Sequence, residues 1–415
     1  MIFLSLSLAA LMAPPAAAAG VPVTFKGKSG TTEQLPAGLS PDQVAIVARY
    51  APWASGAGYR MDFDAQGRIL LVTHKNRSRL QDTLRTIGKA QTWFDGVLPA
   101  PERKVQPETP VDDKPAPPAP EPLPEDPESK ALRQGTGTPA APDSPGTKTT
   151  WQTSWGTGSI EPDTQIAALF IVKTAEDYST LLDVLASETH YLKHWIDDAR
   201  KHTGFTIEDP LAGAYQENAA GQEEWNGDHE LINRTVQLMT LRRFGQQPNW
   251  IVQGIAWDGE IAADGLVYCF PFRSEFVFAA EHGAWPNEAK ALVKDLGRTL
   301  ELSDVANWKR GTWKDKPAKL AWGTVHHLIG QGPGPLSNAL EDMRLMREKK
   351  DRRTTGPNSW ERIPGFELSA EDQTAILQAR FGPDVLKDIT NSVRSGRVSV
   401  RKDPKPGTKN SAGRG

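Results

Sequence analysis

Apolar side chains recur along the first hundred residues at spacings that predict a small α+β unit. Every second residue from Val21 to Phe25 is apolar, as on a half-buried strand. Leu80, Leu84 and Ile87 share one face of a helical period. Together with helix-capping and turn residues, these spacings predict a strand at residues 21–25, a helix at 40–49, a hairpin around 65–67 and a helix at 76–93.

The pattern changes in the second half of the chain, where one apolar run precedes many helical periods. Ile166–Val172 is apolar without interruption, which predicts a fully buried strand. We therefore predict an α+β fold whose larger part is mostly helical, because a few strands precede a long succession of helices. The predicted helices cover residues 174–185, 190–201, 227–244, 250–257, 288–296, 320–329, 336–347 and 370–381.

The N-terminus has the pattern of a secretory signal peptide. The uncharged, mostly apolar run from Ile2 to Met12 is followed by two prolines and then by the small residues Ala17–Ala19. Because no Lys or Arg precedes the run, a mis-assigned start codon and a buried N-terminal strand are the alternatives. This run and all later apolar stretches are shorter than the about 20 residues that cross a bilayer. We predict an extracytoplasmic protein, periplasmic or secreted, without a transmembrane segment after signal removal.

A proline-rich segment separates the two structured parts of the chain. Between residues 99 and 150, proline recurs among Glu, Asp, Ala and Gly, and large apolar side chains are almost missing. Such a composition cannot bury enough surface to offset the entropy of ordering, so it predicts a disordered linker. The predicted organisation is a signal peptide at 1–19, a small α+β domain at 20–98, the linker at 99–150, a larger domain at 151–395 and a basic disordered tail at 396–415.

Composition and charge exclude several classes of function. The chain has 48 basic and 51 acidic residues and a formal net charge of −3, which argues against a nucleic-acid binder. Its single cysteine, Cys269, cannot form an internal disulfide. Serine-nucleophile motifs, phosphate-binding loops with a following Lys-Ser/Thr and C-x-x-C pairs do not occur in the sequence.

One segment, residues 224–260, carries a pattern with chemical content. It contains His229–Asn233, which reads H-E-L-I-N, and Pro248–Trp257, which reads P-N-W-I-V-Q-G-I-A-W. This arrangement resembles the active-site layout of the gluzincin metallopeptidases, especially the peptidase MA-like group. In that group a helix with H-E-x-x-H is followed by P-x-W and by a second helix with E-G-x-A. The resemblance covers about half of the chain, residues 168–381, and implies a gluzincin-like larger domain.

The family motif explains which residue types its chemistry needs. Two histidines and a glutamate bind zinc, and the glutamate within the motif activates a bound water. The resemblance implies that His229 stands at the first-ligand position and Glu230 at that of the general base. Asn233 and Gln253 stand at the second and third ligand positions, and neutral amides bind zinc weakly. We therefore expect a degenerate site with a vestigial general base and without a metal or other cofactor.

Other side chains leave an alternative open. Glu260 follows Gln253 by one heptad and shares its face only if the helix continues beyond Gly259. His282 and the pair His326-His327 are further candidate ligands. The alternative is therefore a zinc site built from unusual ligands.

The tryptophans near the motif are candidates for a second role. Trp250 and Trp257, with Glu260, are candidate residues lining the old substrate cleft, where exposed rings would stack on sugars or peptides. Core packing is the competing explanation for both rings.

These observations together predict an exported pseudo-metallopeptidase. We expect a non-catalytic protein with a binding or structural role in the cell envelope or extracellular space. Its partner would be a peptide, a protein or a glycan, and not a nucleic acid. The alternative function is a zinc-dependent peptidase with unusual metal ligands.

Overall fold

The computed structural model describes most of the two predicted folded parts. Several predicted segments lie outside the described residues, namely the signal peptide, most of the linker, the basic tail, His282 and much of the helix at 190–201. Those predictions stay predictions. The described residues are 20–103, 163–188, 196–197, 199–217, 227–267, 285–306, 315–356, 359–363 and 366–396.

The described residues form an α+β fold whose larger part is mostly helical, as predicted. The strands are β1 (Pro22–Phe25), β2 (Lys28–Thr31), β3 (Arg60–Phe63), β4 (Ile69–Thr73), β5 (Ala167–Val172), β6 (Gly204–Ile207), β7 (Ala212–Gln216), β8 (Arg352–Gly356) and β9 (Ser359–Arg362). The helices are α1 (Pro41–Gly56), α2 (Arg77–Val97), α3 (Ala175–Glu188), α4 (Gly227–Phe244), α5 (Asn249–Asp264), α6 (Trp285–Leu296), α7 (Ser303–Ala306), α8 (Asp315–Gly330), α9 (Pro335–Lys350), α10 (Ala370–Phe381) and α11 (Val385–Ser395).

Local residue choices explain where the first elements begin. The Ser40 side chain accepts a hydrogen bond from the Gln43 backbone N–H and starts α1, and Asn76 caps α2 in the same way. Gly67, with φ of +67°, lies in the turn between β3 and β4, a conformation that favours glycine. The Asp64 carboxylate accepts from the Ile69 N–H at 2.6 Å and fixes that turn. The predicted strand, hairpin and both helices of this segment are confirmed.

Seven strands form one mixed sheet in the order β2-β1-β3-β4-β5-β7-β6. Strands β4, β5 and β7 run parallel, with Leu71 opposite Leu169 and Phe170 opposite Ala214. The pairs β1–β2, β3–β4 and β6–β7 are antiparallel. The predicted strand at 166–172 is thus a fully buried interior strand of the sheet. The strands β2, β6 and β7 were not predicted from the sequence.

Alternate side chains of the central strands enter two different cores. From β5, Leu169 and Ile171 pack in the core shared with α2, α4 and the later helices. Phe170 and Val172 face the opposite side and pack with α1 and α3. This period of two fixes the strand register, because a slip by one residue would exchange the two faces.

Described residues before and after the predicted linker contribute to one sheet. Strand β4 pairs with β5, from the segment after the linker, over five residue pairs that begin at Ile69 and end at Thr73 of β4. The β8–β9 hairpin forms a separate two-stranded sheet, and most of its residues belong to a second unit. The predicted domain boundaries stay a prediction.

The helices after β7 build the larger part of the first core. The helix predicted at 250–257 continues to Asp264, and it packs closely on α8. Gly254 permits this approach, since a Cβ atom there would lie 2.6 Å from a methyl carbon of Val325. Of the helices that the structure describes, none is long and apolar enough to cross a membrane.

Candidate functional site

The motif residues lie on two helices that run side by side in opposite directions. Helix α4 ends at Phe244, and α5 begins at Asn249 after a short connection in which Gly245 has a φ of +62°. The early residues of α4 therefore lie opposite the late residues of α5. This arrangement brings His229 next to Glu260.

A continuous row of polar side chains connects the two helices. The His229 Nδ1 atom lies 3.3 Å from Glu260 Oε2, and the Asn233 amide donates to Glu260 Oε1. The Gln237 amide donates to Asn233 Oδ1 and, at 3.3 Å, to Gln253 Oε1. We call these five residues the polar ladder. Its links join donors to acceptors within α4 and across the contact between the two helices, as buried polar side chains generally require.

Four of the five ladder residues are buried within the protein core, and Gln253 is half-buried. His229 is 3% exposed, Asn233 2% and Glu260 0%. On the surrounding faces of α4 and α5, Leu231, Val236 and Ile255 are fully buried apolar residues of the core. Buried polar groups are stable in such surroundings only when they are hydrogen-bonded to each other. The arrangement therefore holds two helices in register.

Glu230, the position of the general base, faces away from the ladder. Its Oε1 atom accepts hydrogen bonds from Arg234, at 2.9 Å from Nε and 2.8 Å from an Nη atom. Arg234 also donates to the Thr206 hydroxyl of β6 at 3.4 Å. Glu230 is 2% exposed, so its carboxylate is held in a buried ion pair between α4 and the sheet.

The charge around His229 favours its protonated form. Burial opposes the imidazolium, but the hydrogen bond and the negative charge of Glu260, helped by Asp264 and Asp228, raise the pKa of His229 above its ordinary value. The Asp264 carboxylate lies 3.8 Å from His229 Nε2. The two ring nitrogens of this histidine thus each face a carboxylate.

The structure groups the predicted ligand positions differently from the motif. His229 and Asn233 do meet, but they meet at Glu260, and Gln253 lies farther along the ladder, opposite Gln237. Gln253 does not converge with His229 because the antiparallel helices place residue 260 opposite residue 229. The third member of the cluster is therefore Glu260.

The three candidate cleft-lining residues lie in the interior instead. Trp250 is 1% exposed, and Trp257 and Glu260 are 0% exposed. The Trp250 indole N–H donates to Gln373 at 2.7 Å, and Trp257 packs against Trp285 with ring centroids 5.2 Å apart. These rings cannot stack on an external ligand, so core packing is the correct explanation.

The other histidines considered as ligands have separate surroundings. His326 contacts the Asp258 carboxylate through Nδ1, and its ring lies against Trp322 with centroids 5.3 Å apart. Burial lowers the pKa of the neighbouring His327. His282 lies outside the described residues.

The residues at the family's three ligand positions do not fit a zinc ion. Asn233 uses its amide and its carbonyl oxygen within the ladder, and the Gln253 oxygen accepts from Gln237. One imidazole with two engaged amides is a weak donor set for zinc. Among the residues that the structure describes, no group of three or more His, Cys, Asp or Glu side chains is placed to hold a metal ion.

Two residues that hydrogen-bond to predicted site residues were missed from the sequence. Arg234 follows Glu230 by four residues, and Gln237 follows Asn233 by four, so both pairs share a helix face. That spacing was visible in the sequence and predicts the ion pair. In comparisons with known proteins, no family model and no curated protein matches the chain.

Proposed function

We propose that the chain is a non-catalytic, peptidase-like protein of the extracytoplasmic space with a binding or structural role. The observation that carries this proposal is the polar ladder, whose donors and acceptors are directed at one another inside the core. A catalytic zinc site needs three strong protein ligands and an open position for water. The ladder has an amide at the second ligand position, and its carboxylate Glu260 is already hydrogen-bonded to two neighbours.

The surroundings of Glu230 support the same proposal. A general base must reach the proton that it removes, but the Glu230 carboxylate is buried and ion-paired with Arg234. Breaking such a buried pair leaves an uncompensated charge and costs about 3–5 kcal/mol. The helix pair α4–α5 therefore serves to hold the sheet and the later helices together.

One observation favours the alternative, a zinc-dependent peptidase with unusual ligands. The carboxylates of Glu260 and Asp264 lie 3.3 and 3.8 Å from the two ring nitrogens of His229. Imidazole and carboxylate are zinc ligands in other proteins. Because the two carboxylates face opposite nitrogens of the ring, they cannot both bind one zinc ion together with His229. This alternative would therefore need further ligands in place of the family's set.

Metal analysis of the purified full chain tests the proposal. We expect substoichiometric zinc after dialysis against zinc, no peptidase activity on a casein substrate, and no change of either on His229→Ala. His202→Ala, at a half-buried histidine outside the ladder, is the matched control. Stoichiometric zinc that is lost in His229→Ala and retained in His202→Ala would establish the alternative instead.

The location is tested independently of the site. We expect the mature protein in the extracytoplasmic fraction, with an N-terminus at or near Gly20. A cytoplasmic protein that retains Met1–Ala19 would refute the location and leave the assignment of the helix pair intact.

A further inference from the structure

A cavity of about 460 Å³ lies beside β1, β2 and β3, the strands at one edge of the seven-stranded sheet. It is bounded by those strands, by the end of α1 and by the first residue of α2. Its lining shares no residue with the polar ladder. The volume is within the range of about 300–1,000 Å³ that is typical of small-molecule sites.

The charged lining of this cavity is entirely basic. Among the described residues that line it, Arg60 and Arg77 are the charged ones, and none is a carboxylate. Arg60 begins β3, and its guanidinium donates to the Lys75 carbonyl at 3.2 Å, which holds the side chain in place. Arg77 is the first residue of α2, and its side chain lies next to Gly27. A Cβ atom built on Gly27 would be 3.7 Å from Arg77 Cδ.

The remaining wall offers small polar groups. Thr24 and Ser29 place their hydroxyl oxygens 3.4 Å apart across β1 and β2, and Ser55 at the end of α1 is a further polar lining residue. Gly27 and Gly58 have φ values of +72° and +74°. Because these two residues have no side chain, a ligand can approach their backbone closely.

We propose that this cavity binds a small molecule through a phosphate group. Guanidinium groups bind oxyanions through paired N–H donors, and low hydration makes Arg effective in such sites. Two guanidiniums from different elements, together with hydroxyl donors, supply more hydrogen bonds than the two oxygens of a carboxylate can accept. A phosphate monoester offers three terminal oxygens, which matches this donor set. The phosphate can belong to a soluble ester or to a lipid head group.

Calorimetric titration of the full chain with inorganic phosphate and with glycerol phosphate, at ionic strength held constant with potassium chloride, tests the proposal. We expect saturable binding that weakens at least about tenfold in Arg77→Gln, which corresponds to about 1.4 kcal/mol. The matched control is Arg79→Gln, which removes an exposed positive charge from the same first turn but does not line the cavity. It should change the dissociation constant by less than about twofold, a few tenths of a kcal/mol. Neither variant should harm folding, because a positive charge at a helix N-terminus is unfavourable.

A second variant protects the test from indirect effects. Ser29→Glu places a carboxylate in the cavity at an exposed position of β2, and it should abolish phosphate binding while the melting temperature stays the same. Sedimentation with vesicles of phosphatidic acid distinguishes the source, since vesicle binding without binding of glycerol phosphate would assign a lipid head group. Equal effects of Arg77→Gln and Arg79→Gln, or no binding of either phosphate probe or vesicle above the potassium chloride control, would overturn the proposal.

Discussion

Cutting the chain within residues 104–160 should leave residues 20–103 bound to the remainder of the protein. A recognition site for a sequence-specific protease, inserted after Pro118, provides this cut. The reason for retention is that β4 lies inside the sheet between β3 and β5, and α2 packs on α4. Arg243 of α4 reinforces the contact by donating to Asp95 at 2.7 Å and to the Leu98 carbonyl at 2.5 Å.

The magnitude of this association follows from the buried side chains. Six large apolar residues of the segment are almost fully buried in the core that it shares with the helices; they are Ile69, Leu71, Leu80, Ile87, Phe94 and Leu98. Each stabilises the fold by about 2 kcal/mol, so together they contribute on the order of 10 kcal/mol. That equals the free energy of unfolding of a typical protein, about 5–15 kcal/mol. Residues 161–396 should therefore not fold alone.

Size-exclusion chromatography and mass spectrometry measure the result. The cut protein should elute at the volume of the parent under native conditions and separate into two fragments only in denaturant. Residues 161–396 expressed alone should lack a cooperative melting transition, and co-expression with residues 20–103 should restore it. A C-terminal fragment that elutes alone and melts at the parent temperature would show that the shared sheet does not hold the two parts together.

Two further predictions concern charged groups. The pKa of Asp95 lies below its ordinary value of 3.8, because two arginines outweigh the opposing effect of burial. The stabilisation by Asp95 is therefore present above that value and is lost as the pH falls through the folded pKa. Between about pH 5 and pH 3, the free energy of unfolding should fall more in the parent than in Asp95→Asn, and equal slopes would contradict this. Glu260→Gln should lower the free energy of unfolding measured in urea by about 1–3 kcal/mol. The control is Glu301→Gln, since the Glu301 side chain is 67% exposed; it should change the free energy of unfolding by less than about 0.5 kcal/mol. Equal effects of the two substitutions would mean that the ladder does not stabilise the fold.

The sequence predicted elements well wherever a local signal decided the structure. Helix α4 has the predicted bounds, and α1 begins directly after its capping serine, Ser40. The strands β6 and β7 were missed because residues such as Gly204 and Gly213 have low strand propensity. Their pairing with β5 is decided by long-range contacts, which local patterns do not contain. The same limit applies to the shared sheet, since no pattern shows that β4 pairs with a strand nearly 100 residues later.

The candidate site shows the limit of a motif read along the chain. The motif places the third ligand position at Gln253, and the residue types at its three positions predict a poor zinc set. What decided the site was the length of α5, which continues through Gly259 and brings Glu260 to His229. Gly259 reduces helix propensity by about 1 kcal/mol, which favoured an early end of the helix. Close packing outweighs that cost, since a Cβ atom at Gly259 would lie 3.0 Å from both Trp93 and Val236.

This geometry leads to a last prediction, that one substitution can create a zinc site. Asn233→His would place a second imidazole one helical turn from His229, and Glu260 already contacts both positions. Zinc at a hundredfold excess over its dissociation constant should stabilise this variant by about 2.7 kcal/mol, measured as a zinc-dependent rise in melting temperature. Gln253→Glu, the change suggested by the motif, should give no such rise, because residue 253 lies opposite Gln237. A zinc response that requires Gln253→Glu, or that is missing from Asn233→His, would show that Glu260 is not placed to act as the third ligand.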